Sequence, residues 1–425
     1  MNREKRVFQI SLSVMLLAAA FVLGFQTRHK ESWPYGPISG AKSVAKSLVR
    51  YGRIVPPGLY VSAPAGSPRT EATVTDPGRM VPGYYLFSGW SGELGTWAAW
   101  LYDHQGARLH TWPIRYRDLD PDGPLNLSDE PHGMKALPDG SLVLNFDHAD
   151  VMARLDPCGH AVWVRPGIFH HAIDVDADGT MWTWRGEGTP YAHHHFLVNF
   201  DPETGDTIRE IDLVEDVIRG SDRGSVVLGL RPDFPFRHFE KTPPNQSAVD
   251  LFHPNDVEPL LPAMAAAFPQ FAAGDLLISL RTINMVAVIG REDGSVKWWS
   301  GGPWVAQHDP DFRADGRISV FNNNTGRDRS EITVIDPATG EVTNELARGP
   351  LRFYSGTMGK HQYLPGGGVL VAIPDEGRAV VVTGTGEPVF EFANILPGVD
   401  GTHGKLTNAL WLPPDFFDTV PGCTD

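Results

Sequence analysis

Ala136-Leu137-Pro138-Asp139-Gly140-Ser141-Leu142-Val143-Leu144 is the stretch on which the fold turns. An Asp-Gly pair sits between two apolar runs, the strongest short-range signal for a hairpin, and the reading is a tight turn whose two central residues both adopt positive φ. The unit recurs as Val175-Asp176-Ala177-Asp178-Gly179-Thr180-Met181-Trp182-Thr183, as Phe312-Arg313-Ala314-Asp315-Gly316-Arg317-Ile318-Ser319-Val320 and, with Pro-Gly-Gly for Asp-Gly, as Tyr363-Leu364-Pro365-Gly366-Gly367-Gly368-Val369-Leu370-Val371. A second turn follows each at a shorter distance, in Leu155-Asp156-Pro157-Cys158-Gly159, Phe200-Asp201-Pro202-Glu203-Thr204-Gly205 and Ile335-Asp336-Pro337-Ala338-Thr339-Gly340. Two hairpins per unit, at a period of roughly 40 to 50 residues, describe a four-stranded blade. Units begin near Tyr84, Glu130, His170, Leu251, Ala306 and Lys360. The expected fold is therefore all-β, a β-propeller of about six blades. Gly404 to Leu412 is the candidate strand for closing the ring, Arg219 to Asp250 is an excursion between blades three and four, and Pro262 to Phe271 holds a helical turn inside blade four.

Composition agrees. The chain has 425 residues with 45 Gly and 36 Pro, which favours many turns over long helices. Its formal net charge of −15 argues against a nucleic-acid partner, because phosphate binding needs clustered Lys and Arg. An anionic small substrate would need a local positive site against this field. With Cys158 and Cys423 as the only cysteines, a disulfide framework and a cysteine-based zinc site are excluded; one disulfide or two free thiols remain open.

At the N-terminus, Arg3, Lys5 and Arg6 precede a mostly apolar run from Val7 to Phe25, followed by Arg28, His29 and Lys30. That is the pattern of a membrane anchor helix with the body outside the cytoplasm, on the periplasmic face of the inner membrane; a cleaved signal peptide would leave the body in the same compartment. The expected organisation is an anchor over 1–30, a Pro/Gly/Ser/Ala-rich linker and lead-in over 31–72, a propeller over 73–415 and a tail over 416–425.

Blade starts converge on the central channel of a propeller, so polar residues of like phase should meet there. His132, His170 with His171, His253, His308 and His361 open five successive units. They are expected to form a ring at one mouth of the channel, whereas one such histidine alone would read as structural. The His193–His195 run lies off this phase and reads as a loop. Trp90, Trp184, Trp304 and Tyr354 are candidates to stack on an aromatic substrate.

Beyond these patterns, the chain resembles the bacterial arylsulfotransferases that use no nucleotide sulfate donor. The resemblance lies in Val74 to Phe87, in His253-Pro254-Asn255-Asp256 followed by Ser279-Leu280-Arg281, and in Gln307-His308-Asp309 followed by Gly316 to Asn323, and it covers roughly residues 73 to 415. It implies that His308 is a nucleophile forming a sulfohistidine. His132, His253 and Arg281 would bind and polarise the sulfuryl group, with His170, His171, His361 and Asn255 lining the substrate site. An aryl sulfate would be the donor, a phenol the acceptor, and no cofactor or metal would take part. A neutral imidazole can attack sulfur, a guanidinium can hold two sulfuryl oxygens, and a second histidine can shuttle the phenolic proton. These roles require His308 to be neutral and a sulfuryl-binding histidine charged, so their pKa values should diverge. Two other functions fit a histidine-lined propeller: a metal-dependent hydrolase or lyase, and a non-catalytic binding protein. Asn126, Asn245 and Asn323 stand in Asn-x-Ser/Thr triplets.

Overall fold

Six antiparallel sheets, five of four strands and one of five, follow one another around a ring in a computed structural model that describes residues 58–121, 130–147, 150–187, 195–229, 251–346 and 349–423, with Met15, Leu17 and Ala20. The rest of the 1–30 anchor, residues 31–57, His193, His194, Asn126 and Asn245 lie outside the described residues. No helix among the described residues is long and apolar enough to cross a membrane.

The innermost strands of blades 2 to 6 are Glu130–Ala136, Ile168–Val175, Pro254–Pro259, His308–Phe312 and Lys360–Tyr363. Blade 1 is built from both chain ends. The unit read as starting at Tyr84 supplies its three outer strands, and Leu406–Leu412 returns to pair with Tyr84–Ser91 as the innermost one. The ring is thus closed by hydrogen bonds between segments more than 300 residues apart. A further strand, Ala72–Val74, edges blade 6, and Tyr60–Ser62 pairs with Thr402–Gly404. The helical turn inside blade 4 is Pro262–Ala265. The excursion after blade 3 begins earlier than expected, with a π-helical segment at Leu213–Arg219 capped by Asp212.

The Asp-Gly turns of blades 2, 3 and 5 differ from the expected type: only the glycine has positive φ, Gly140 at 84°, Gly179 at 85° and Gly316 at 82°, whereas in blade 6 both Gly366 at 86° and Gly367 at 88° do. Gly140 N donates to Leu137 O and Leu137 N to Ser141 O, so each hairpin is a tight turn followed by a left-handed glycine. The Asp closes it from the side, Asp139 Oδ1 accepting from Ser141 N and Oγ. At Gly316 a Cβ would also lie 2.6 Å from Ala267 O, so a side chain there is excluded twice.

Packing between blades is apolar, with Trp112, Trp182, Trp184, Tyr85 and Phe392 among the fully buried side chains. Trp90, Trp184 and Trp304 all belong to these cores rather than to an open channel mouth. Each blade junction also carries a side-chain donor onto a main-chain carbonyl in, or leading into, the next inner strand. Going round, these are Asn408 to His132 O, Asn145 to His171 O, Trp184 to Asp256 O, Asn255 to Gln307 O, Asn323 to Met358 O and Asn394 to Lys405 O, at 2.6–3.2 Å. A buried carbonyl left without a donor is costly, so these six bonds set the rotation of each inner strand. Cys158 and Cys423 form a disulfide that ties the C-terminal tail, beyond the closing strand, to blade 2.

Candidate active site

The inner strands are irregular where they reach the channel. Register shifts interrupt them between Pro131 and Met134, His170 and Ile173, Pro254 and Asp256, His308 and Pro310, and Leu406 and Asn408. Bulges re-aim side chains. Counted back from the last paired residue of each inner strand (Ala136, Val175, Pro259, Phe312, Tyr363), the fourth residue is His132, His171, Asn255, His308 or Gly359. Three histidines and an asparagine therefore share one level of the channel. His253 joins them from just outside its strand, at φ 47°, with its carbonyl held by the Arg281 amide. His171, at φ 60°, sits in the middle, its ring centroid 4.3 Å from that of His132 and 5.0 Å from that of His253. His170 bonds to it, Nδ1 to Nδ1, at 2.7 Å. Non-glycine residues at positive φ persist only where their surroundings hold them, and here the inter-blade donors do so.

His361 falls elsewhere. The innermost strand of blade 6 has no bulge, and His361 stands two residues, not four, before Tyr363. Its fully buried ring bridges blades 5 and 6, with Nδ1 at 3.0 Å from Asp309 Oδ2 and Nε2 at 2.8 Å from Ser319 Oγ. His361→Ala is accordingly expected to lower the melting temperature by several degrees, because it empties a buried site and removes one of the groups that hold the Asp309 carboxylate and the Ser319 hydroxyl, while a defect confined to turnover would contradict this placement.

Burial dominates the electrostatics of the histidine level. It pushes His308 down to about 3, helped by the Arg281 guanidinium and His253 and opposed by the bond to Asn323. It also pushes His132 and His171 well below the usual imidazole range, with Lys360 the next contributor for His132 and His132 itself the next for His171. Between His308 and His132 the expected divergence is therefore absent: these two and His171 all move the same way, toward the neutral imidazole. Arg281 is then the fixed positive charge that acts on His308. Asn255 Oδ1 and His132 Nδ1 are buried without a hydrogen-bond partner among the described residues. Both residues line, with His308, Lys360 and Thr407, a small void of about 10 Å³.

Below this level the channel opens into a cavity of about 670 Å³ lined by charged residues of the same strands: Asp174, Asp256, Glu258, Asp309 and Asp311 with Lys135 and Lys360. From the sequence, carboxylates look scarce at the histidine phase, with Asp256 and Asp309 close by; the alternation along the inner strands that adds Asp174, Glu258 and Asp311 emerges only from the register. Burial first, then mutual repulsion, pushes Asp256, Glu258 and Asp311 well above the usual carboxylate range. Asp309 goes the other way, to about 2: burial would raise it, but Lys360 and His361 outweigh that. Asp309, Asp311 and His361 bring metal-ligand atom types within 4.8 Å of one another, yet both ring nitrogens of His361 are engaged with protein and Asp309 pairs with Lys360.

A propeller whose bulged inner strands gather buried neutral histidines and an arginine around one point has the makings of an enzyme that handles a compact anion. The chain belongs to the arylsulfotransferase (ASST) family, whose match spans residues 133–395 and so includes His171, His253, Arg281 and His308 but stops just short of His132. The family makes it a sulfotransferase on a propeller scaffold. No curated protein sequence matches the chain. Solved structures to which the chain is similar include a protein of unknown function from Bacteroides caccae (11% identity, 76% of this chain and 99% of that one, TM-score 0.48). Others are virginiamycin B lyase from Staphylococcus aureus (13%, 62% and 70%, 0.35) and a functionally unknown protein from Desulfotomaculum acetoxidans (10%, 78% and 99%, 0.42). At this level of similarity they bear on neither substrate nor mechanism.

Proposed function

We propose that the protein transfers a sulfuryl group from an aryl sulfate ester to a phenol by a ping-pong route through His308, without a nucleotide donor. The observation that carries this reading is a buried imidazole, held neutral, beside a fixed guanidinium in a chain of the arylsulfotransferase family. His308 Nε2 attacks sulfur as the S–O bond to the aryl oxygen breaks, and the electron pair leaves with that oxygen. Arg281, His253 and His132 surround the transferring group, where donors aimed at its oxygens act most strongly in a dry site, while Asn255, its Nδ2 already given to Gln307 O, lines the same void with Oδ1 left to accept. His171, between His132 and His253, is suited to relay the proton that the acceptor phenol loses and the released phenol gains. The same reading puts the body on the periplasmic side of a membrane anchor. The apolar run Val7 to Phe25 and the Cys158–Cys423 disulfide, a bond that persists in oxidising compartments, support it.

The test is a fluorogenic aryl sulfate incubated with the full-length protein and no nucleotide. Fluorophore release should accelerate on adding a free phenol, and the sulfated phenol should appear in equal amount. Release that requires a nucleotide, or that yields only inorganic sulfate whatever phenol is present, would overturn the reading.

A further inference from the structure

Asn323 follows the second strand of blade 5 and is completely buried. A buried, engaged side chain cannot carry a glycan, so its Asn-x-Thr triplet is not an acceptor site. What the side chain does instead follows from its three bonds. Nδ2 donates to Ser355 O at 2.8 Å and to Met358 O at 2.6 Å, both in the segment leading into blade 6. Those partners are carbonyls and can only accept, which decides the amide orientation: a flipped Asn323 would press Oδ1 against two other oxygens. Oδ1 must therefore face His308 Nδ1, 2.8 Å away. An amide oxygen can only accept, so the proton of the neutral imidazole resides on Nδ1. The lone pair is then on Nε2.

We propose that Asn323 is the positioning residue that selects the nucleophilic nitrogen of His308, and that its being an amide rather than a carboxylate keeps the sulfated histidine reactive. The proposal rests on the sulfuryl-transfer reading above. When Nε2 bonds to sulfur, the ring becomes an imidazolium that still carries its Nδ1 proton, and no proton need leave. When the acceptor oxygen attacks, the N–S bond breaks and its electron pair returns to Nε2. A carboxylate at position 323 would hold or remove the Nδ1 proton, and the pair would return to a ring less willing to take it. A neutral acceptor orients the ring without that drag. The other charged and titratable groups around His308 are Arg281, His253 and Asp309, with His132 and His171 at the same level and Asp256 and Lys360 on the void that His308 lines.

The experiment is nitrogen NMR on full-length protein labelled in histidine, with the His308 signals found by difference against His308→Gln. The expected wild-type result is a neutral ring protonated at Nδ1 at neutral pH. Asn323→Asp should raise the pH at which His308 titrates by about one to two units and slow the second half-reaction more than the first. A burst of released phenol should then precede a lower steady rate. Asn323→Leu should leave a mixture of tautomers and cut kcat by about 10²-fold, with KM changed far less. A wild-type ring protonated at Nε2, or an Asn323→Asp protein whose His308 tautomer and titration match wild type, would overturn the proposal. A purely structural role would shift the melting temperature of the variants and leave tautomer and titration as they were. If the wild-type protein shows the Nδ1 tautomer yet turns over no aryl sulfate, the transfer reading fails and the orienting contact stands.

Discussion

His308→Ala is expected to lose phenol-dependent sulfuryl transfer by about 10⁴-fold in kcat/KM, with the fold intact. The size follows from what is removed. A nucleophile splits one hard displacement into two easier ones, and the remaining donors can bind the donor ester but offer no atom to receive the sulfuryl group. Four decades correspond to about 5.5 kcal/mol of barrier. Stability should suffer less. The imidazole is already neutral, so no buried charge is left unpaired, and the losses are the bond to Asn323 Oδ1 and the volume of the ring. An orphaned buried acceptor costs about 1–3 kcal/mol. A melting temperature a few degrees lower, with wild-type circular dichroism, is the companion result. Parallel incubation of both proteins with donor, quenched and analysed by intact mass, should show one added sulfuryl group on wild type and none on the variant. Retention of more than a tenth of wild-type activity by His308→Ala would move the nucleophile to another residue.

The ring was legible in the sequence because its punctuation is chemical. Asp139-Gly140, Asp178-Gly179 and Asp315-Gly316 mark the same turn in three blades, and no other residue takes the left-handed place so cheaply. The exact turn was not legible, since an Asp-Gly pair satisfies two hairpin geometries that differ only in whether the Asp also takes positive φ. Histidine phase brought His132, His171, His253 and His308 together on paper as they meet in space. It failed for His361 because phase counted from the sequence assumes equal strands, and the innermost strand of blade 6 lacks the bulge that the five other innermost strands carry. Asn323 was passed over because its identity speaks of surface until the carbonyls of Ser355 and Met358, 32 and 35 residues away, come to its amide. Three of the carboxylates below the histidines were invisible for a related reason. Asp174, Glu258 and Asp311 each fall one residue before the end of an inner strand, a pattern that appears only once register is known.

Those two levels should oppose each other when pH changes. His308, His132 and His171 have folded pKa values below that of a free imidazole. As pH falls below about 6.5 the unfolded chain takes up protons at these positions and the folded one does not, so their contribution, fully present above that pH, is lost toward the folded pKa. Asp256, Glu258 and Asp311 are shifted upward. Above about pH 4 the unfolded chain releases protons there that the folded chain keeps, so their contribution, fully present below that pH, is lost as pH rises. Each group contributes at most about 1.4 kcal/mol per pH unit within its window, and between about pH 4 and 6.5 the two slopes have opposite signs. Single variants separate them. Asp311→Asn removes one upward-shifted carboxyl, so its stability relative to wild type should increase with rising pH across that window. His308→Gln removes one downward-shifted imidazole, so its stability relative to wild type should increase as pH falls. Denaturant unfolding of the three proteins across the window reads both differences. Two difference curves with the same sign would mean that the charge assigned to one of the levels is wrong. Opposite curves would mean that the channel keeps its histidines neutral and its lower carboxyls protonated by burial, the condition under which a neutral His308 is available to attack at any pH where the protein is folded.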